Sequence, residues 1–348
     1  MYSLLKPFIF KIDPEMAHDL AIKSLKYNFL PEEIFRVENE SILESKIFDK
    51  KIKNPIGLAA GFDKSAEVYN SLFKFGFGFV EVGTVTPKEQ FGNPKPRVFR
   101  LENDRALINR LGFNNDGLEK VSKRLQKNSP TNFLGVNIGP NKDSKNRMDD
   151  YLKCIKEIYN FANYITINIS SPNTPGLRDF HDKSTLQNLL KNITEFTKKN
   201  EIRKPLALKV SPDIADNEIG NIIELMKKFN ISGVIISNTT DKNRENLIGK
   251  YKSELGGLSG EPLTKLSNEL IKKFYKEIKG EITIIGVGGV NSGITAYEKL
   301  KSGANLLQLY TGMVYEGPGI VKKIKTELID ILEKEKIKNV SEIVGTGL

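Results

Sequence analysis

One cysteine and two histidines are all that 348 residues offer to thiol or imidazole chemistry. Cys154 alone excludes an internal disulfide, a zinc knuckle and an internal iron–sulfur cluster, each of which needs several thiolates at short spacing. That scarcity fits a reducing compartment. His18 and His181 are far apart in the chain, which argues against a histidine-rich metal site or a Ser-His-Asp triad. No run of eighteen or more apolar residues occurs, and no charged, apolar, small-residue leader. Neither a membrane span nor a cleaved signal is therefore expected, and the chain is expected to stay in the cytoplasm. No strand-like run is followed by G-x-G-x-x-G, so a Rossmann dinucleotide site is not supported.

What is present suffices for one large core: 39% of residues are hydrophobic, and barrel domains reach this length undivided. The formal charge of +10 could point to nucleic acid, an anionic membrane or acidic ligands. Its lysines, such as Lys272, Lys273, Lys276 and Lys279, alternate with Glu and apolar residues as on solvated helix faces. A lysine-rich soluble surface is the favoured reading, with no nucleic-acid partner.

Eight short β-branched or apolar runs recur from about residue 55, each followed by a helical pattern: Ile56 to Ala60, Phe77 to Thr84, Leu134 to Ile138, Tyr164 to Ser170, Pro205 to Ser211, Gly233 to Thr239, Thr283 to Gly289 and Leu306 to Thr311. Runs apolar on nearly every residue imply strands covered on both faces, and alternation with helices implies parallel pairing. The expectation is an α/β fold, a closed (β/α)8 TIM barrel over residues 41–348. Between about residues 86 and 130, Pro-rich and Gly-rich pieces surround two β-like runs, Arg97 to Glu102 and Ala106 to Leu111. An insertion after the second strand would cover the functional face as a lid or tunnel wall.

Residues 1–40 form an N-terminal helical extension. Leu4, Leu5, Phe8, Ile9 and Ile12 make one apolar stripe, Asp13-Pro14 is a helix start, and Ala17, Leu20, Ala21, Ser24 and Leu25 make a second stripe. With Lys6 and Lys11 beside them, these helices could lie in a membrane interface or simply pack on the barrel. The pattern leaves both open.

Candidate chemistry clusters at strand ends. Gly286-Val287-Gly288-Gly289 and Tyr310-Thr311-Gly312 close the seventh and eighth runs, where barrels commonly hold a phosphate on backbone amides. Flavin mononucleotide (FMN) fits better than NAD. Lys64 and Lys209 stand at strand ends among apolar residues, and a buried ammonium calls for an anion. Lys209 could meet the N1/C2 carbonyl edge of a reduced flavin and Lys64 a substrate carboxylate or carbonyl; the plainer alternative is an ion pair, for Lys64 with Asp63. Asn109, Asn114, Asn137, Asn168, Asn173 and Asn238 recur near strand ends, and amides suit a ligand of alternating N–H and C=O groups such as a pyrimidine. In the loop 168–178, Ser171 could remove a proton if its own has a relay to solvent.

Taken together, AAGFDK (59–64), NRLGF (109–113), GVNIG (135–139), NISSPNTPGLR (168–178), LKVSPD (208–213), SNTT (237–240), GGLSG (256–260) and GVGGV (286–290) closely resemble the quinone-dependent class 2 dihydroorotate dehydrogenases. That resemblance implies oxidation of dihydroorotate to orotate in pyrimidine synthesis, with one FMN per chain and ubiquinone or menaquinone as final acceptor. It implies Ser171 as the base, where class 1 relatives carry a cysteine; Cys154, in an expected helix, cannot substitute. It implies substrate contacts from Lys64, Asn109, Arg110, Leu111, Gly112, Phe113, Asn168, Asn173, Asn238 and Thr239. Flavin contacts would come from Ala60, Gly61, Thr84, Asn137, Asn168, Lys209, Ser237, Gly260, Gly289, Tyr310 and Thr311. His18 and Arg100 would border a quinone tunnel. It further implies a monomer held peripherally on the cytoplasmic face of the cell membrane, and no metal.

Overall fold

The computed structural model describes residues 2–27, 32–37 and 40–348. Of the N-terminal extension, residue 1 and residues 28–31 and 38–39 lie outside the described residues.

Eight strands close a parallel barrel: β1 (Ile56–Leu58), β2 (Phe79–Val85), β3 (Phe133–Ile138), β4 (Tyr164–Asn168), β5 (Leu206–Val210), β6 (Gly233–Ile236), β7 (Thr283–Val287) and β8 (Leu306–Leu309). Neighbours in the ring follow chain order, and β8 pairs with β1 to complete it. Every residue of β2, β3, β4 and β5 is buried, as strands covered by helices outside and side chains inside require. The outer helices show why the sequence reads as periodic. The helix Lys183–Lys199 turns Leu186, Leu189, Leu190 and Ile193 to the barrel and is capped by Asp182, which accepts from the Ser184 and Thr185 amides.

All eight expected runs are strands; six end earlier than expected, while β2 continues one residue further to Val85 and β3 ends at Ile138 as expected. Residues such as Ala60, Ser170, Asn238, Gly289 and Thr311 leave the ladder and form the loops of the barrel mouth. The opposite end is stoppered by an antiparallel pair, Ser45–Ile47 with Lys50–Ile52. Its Ile47 and Ile52 pack on Phe79, Phe133, Tyr164, Ile235 and Leu306. Gly135 makes room there: a Cβ on it would lie 2.1 Å from the Tyr164 ring.

Over the mouth stands a second sheet. Val98–Leu101 and Ala106–Asn109 pair antiparallel, close to the two β-like runs expected between residues 86 and 130. A third strand, Gly257–Gly260, arrives from the loop after β6 and pairs with Ala106–Asn109. The glycine-rich sequence of that strand reads as a turn, because its extended conformation comes from its neighbour's ladder rather than its own side chains.

The extension supplies two helices, α1 (Tyr2–Ile9) and α2 (Pro14–Lys26). Asp13 caps α2 as its sequence indicates, accepting from the Glu15 and Met16 amides. The stripe on α1 divides: Leu4, Leu5 and Phe8 are 75%, 53% and 68% exposed, while Ile9 and Ile12 line a cavity under the helices. No helix among the described residues is long and apolar enough to cross a membrane.

Candidate active site

At the barrel mouth two cavities share the walls Ala60, Asn109, Leu111, Lys209, Asn238, Thr239 and Tyr310. The first, about 100 Å³, runs outward past Ser237, Ser259, Gly260, Gly288, Gly289 and Thr311 to Gly312. The second, about 120 Å³, is bounded by Gly61, Lys64, Thr84, Gly112, Phe113, Asn168, Ser171, Pro172 and Asn173. Residues spread from 60 to 312 in the chain meet here because each closes a barrel strand or belongs to the covering sheet.

The floor is a hydrogen-bonded set of side chains. A bulge in the pairing of β2 with β3, between Val82 and Val85, re-aims the strand and brings Thr84 over Asn137. Thr84 Oγ1 donates to Asn137 Oδ1 at 2.7 Å, and Asn168 Nδ2 donates to the same oxygen at 3.1 Å. Asn238 Nδ2 donates to Ser170 Oγ at 3.0 Å. Asn137 lines neither cavity; it lies fully buried beneath Thr84 and Asn168 and holds them.

Lys209 is only 5% exposed, and its ammonium makes no hydrogen bond or ion pair among the described residues. Burial lowers the pKa of its ammonium, and Glu81 opposes that. A buried cation at a cavity wall with no partner is the feature expected of an anion-binding site. Around the outer cavity, the Gly289 and Val290 amides meet no acceptor among the described residues. Gly289 has φ +75°, and a Cβ there would lie 1.8 Å from Thr264 Oγ1, so only glycine presents its backbone to the cavity at this point.

The inner cavity gathers the acid–base groups. Ser171, 4% exposed, accepts at Oγ from the Asn173 amide at 3.2 Å. Thr174, on the same loop, has a buried Oγ1 with no partner among the described residues. The Asn109 side-chain amide makes no hydrogen bond among the described residues, while the Asn109 main-chain carbonyl accepts from Asn173 Nδ2 at 3.1 Å. Lys64 does not pair with Asp63, whose carboxylate accepts from the Glu67 and Val68 amides. Its Nζ lies 3.3 Å from His18 Nε2, and burial brings its pKa down to about 8.

Arg110 departs from its expected role. Its guanidinium donates to Glu254, Leu255 O and Pro96 O and stacks over Phe99 at 4.6 Å, so it braces the covering sheet and lines neither cavity. The two histidines do not meet. His181 accepts at Nε2 from the Ser211 amide and contacts Arg178 O through Nδ1, a structural commitment of both nitrogens. Cys154 is fully buried in the helix Arg147–Ile158, and burial pushes its thiol pKa up.

A third cavity of about 290 Å³ extends from the site between α1 and α2, sharing Lys64, Leu111 and Tyr310 with the inner one. Both His18 and Arg100 line it, together with Ile9, Ala17, Ala21, Phe62, Val98, Leu107 and Met313. Arg100 donates to Phe10 O and Ile12 O and stacks over the Phe10 ring at 4.8 Å.

Family comparison agrees with this geometry. Residues 42–332 match the family model for dihydroorotate dehydrogenase. The chain belongs to the dihydroorotate dehydrogenase family. It is 44% identical over 337 residues to a dihydroorotate dehydrogenase (quinone) of Christiangramia forsetii, covering 94% of this chain and 98% of that one. With the enzyme of the same name from Bartonella tribocorum it shares 46% over 338 residues, covering 96% and 93%. Crystal structures of DHODH from Eimeria tenella superpose with a TM-score of 0.91 at 39% identity. The one in complex with ferulenol covers 96% of this chain and 95% of its own, the ligand-free one 96% and 99%.

Several residues that serve the dehydrogenase site escaped the sequence reading. Arg97 pairs with Glu15 at 2.6 Å and so fastens α2 to the covering sheet. Arg178 ties the Ser171 loop to the Thr239 loop through Thr239 O and Asp213. Glu81, inside β2, holds Asn137. Each acts between segments remote in sequence, so no local pattern marks it.

Proposed function

We propose that this chain oxidises dihydroorotate to orotate in pyrimidine biosynthesis, with FMN as hydride acceptor and a membrane quinone, ubiquinone or menaquinone, as final acceptor. One observation carries the reading: Ser171, Lys64 and the Asn109, Asn173 and Asn238 amides share a cavity wall with unpartnered Lys209, beside glycine loops with open amides. FMN suits these residues. The Gly289 and Val290 amides and the first turn at Thr311 would take its phosphate; Gly61, Ala60, Thr84 and Asn168 would flank its ring; Ser237 and Gly260 would border the chain between. Lys209 would face the ring edge where negative charge develops. Bound there, FMN supplies the two-electron acceptor.

The protein's own groups account for the rest. Lys64 holds the substrate carboxylate. Asn109, Asn173, Asn238 and Thr239 match donors to carbonyls and acceptors to N–H groups on the pyrimidine ring. Ser171 Oγ takes the proton from C5 as the hydrogen at C6 leaves with its electron pair, and in the same step gives up its own hydroxyl proton to solvent. The covering sheet excludes water from the reacting atoms.

The cavity lined by His18 and Arg100 would admit the quinone. In this reading α1 and α2 dock as a monomer on the cytoplasmic face of the membrane. Leu4, Leu5, Phe8, Met16 and Leu20 stand exposed, with Lys6 and Lys11 beside them to meet anionic lipid. The test is anaerobic mixing of purified protein with L-dihydroorotate while the flavin absorbance is followed. Bleaching that a soluble quinone reverses is expected; a bound flavin that stays oxidised overturns the substrate assignment, and failure to take up FMN overturns the cofactor.

A further inference from the structure

Glu81 is fully buried inside the barrel and lines neither cavity at its mouth. Four donors converge on its carboxylate. Tyr164 Oη at 2.8 Å, Thr166 Oγ1 at 3.0 Å and Gln308 Nε2 at 3.1 Å donate to Oε2, and Asn137 Nδ2 at 2.9 Å donates to Oε1. Gln308 meets this demand at a cost, since its own Oε1 is buried without a partner among the described residues. Each of these four neighbours turns a donor toward it, and the carboxylate serves only as acceptor.

That constraint propagates upward. With Nδ2 committed to Glu81, Asn137 must present Oδ1 to the layer above, where it accepts from Thr84 Oγ1 and Asn168 Nδ2. Asn168 is then left with Oδ1 on its other side, and this oxygen accepts from the amide and hydroxyl of Ser170. Ser170 Oγ in turn accepts from Asn238 Nδ2, whose Oδ1 faces the Thr239 amide. All of these links between side chains run one way, donors toward Glu81. An amide can bond equally well in two flipped orientations until a neighbour of fixed polarity selects one: the Ser170 and Thr239 backbone amides do this for Asn168 and Asn238, and Glu81 does it for Asn137.

We propose that Glu81 is a positioning residue that fixes the orientation of the Asn137 amide and, through Asn137 Oδ1, holds Thr84 and Asn168 in the poses they present to cofactor and substrate. The inference rests on the proposed flavin and orotate site. It concerns which atom of the Asn137 amide meets Thr84 and Asn168, a property that neither burial nor packing volume determines. Glu81→Gln keeps the shape but supplies one donor. The three donors around Oε2 are still served by the new carbonyl, so the new Nε2 points at Asn137 and drives its amide over, which turns Asn137 Nδ2 toward Thr84 and Asn168 Nδ2 and sets donor against donor beneath the site.

The experiment compares wild type, E81Q and the double variant E81Q/N137D. In the double variant the carboxylate introduced at position 137 accepts from the amide introduced at position 81 and again offers an acceptor to Thr84 and Asn168, restoring the original polarity. FMN dissociation is followed by the fluorescence of released flavin, orotate binding by perturbation of the oxidised flavin spectrum, and folding by thermal melts. E81Q is expected to weaken both ligands by about ten- to a hundredfold, the range for mismatched buried polar groups, and the double variant to recover most of that loss. Wild-type affinities in E81Q overturn the inference, as does a double variant no tighter than the single one. If E81Q does not fold, recovery of folding and binding in the double variant still supports it, whereas failure of both assigns Glu81 to core stability instead. A wild-type protein that takes up no flavin fails at the underlying reading, separately from these comparisons.

Discussion

The Lys64 ammonium, on the loop after β1, lies 3.3 Å from His18 Nε2 on α2, so the buried cation of the inner cavity is also a contact between the barrel and its helical extension. Burial first, and Lys64 second, hold the His18 pKa down to about 3. His18 therefore faces Lys64 as a neutral acceptor. Its ring also packs edge-on against Phe62, which meets Tyr310 in the same way, so one line of side chains runs from the extension into the site.

Substrate binding should follow the charge on Lys64. With its pKa brought down to about 8 by burial, the cation is present below pH 8 and is lost above it. Orotate affinity should fall about tenfold per pH unit above that value, and Lys64→Gln should be weak and pH-independent. Spectral titration of the oxidised protein between pH 6 and 10 checks this, and a flat wild-type profile would show that Lys64 does not hold the anion.

Attachment of α2 should loosen in acid. The unfolded chain protonates His18 near 6.5, while the folded one resists to about 3, so stability falls as pH drops from 6.5 toward 3. Glu15 adds to this. Burial raises its pKa but Arg97 and Lys95 lower it further, leaving a net depression, so its contribution is also lost as acid protonates it. Arg97→Met should release the helix at neutral pH, since breaking a largely buried pair typically costs about 3–5 kcal/mol. Limited proteolysis within residues 10–27 measures both effects.

Ser171→Ala should slow reduction of the flavin by dihydroorotate by roughly 10²–10⁴-fold, the usual contribution of a general base, and leave reoxidation by quinone unchanged. Stopped-flow measurement of the two half-reactions separates them. Equal reduction rates in both proteins would remove Ser171 from the chemistry.

If quinone enters through the cavity between α1 and α2, the two half-reactions should also separate there. Ala21 lines the cavity between the helices, and Ala21→Trp would fill it. Quinone turnover should fall at least tenfold while flavin reduction stays within about twofold. Loss of both would mean that the cavity serves the substrate side as well.

Much of the architecture was legible in the chain. The runs that became β6, β7 and β8 are apolar on nearly every residue, and Asn238, Gly288 and Gly312, which follow within three residues, break the pattern, so the barrel and the end that carries its chemistry both follow from local pattern. Motif spacing likewise brought Ser171, Lys64 and Lys209 forward. The strand Gly257–Gly260 was not legible, because glycine has no preference for the extended state and only pairing with Ala106–Asn109 imposes it. Arg110 sits inside a recognised motif, yet its guanidinium finds Glu254, from a segment no spacing connects to it.

The sequence by itself determined the periodicities, and through them the number and order of barrel strands, the amphipathic extension and the supply of lysines, asparagines and one serine at strand ends. Tertiary structure alone decided which of those side chains face one another. Hydrophobic burial is non-directional and can be read from a pattern of residue types. A hydrogen bond or an ion pair needs its two partners within about 3 Å, and partners as distant in the chain as Glu81 and Gln308, Lys64 and His18, or Arg97 and Glu15 are set there only when the barrel closes.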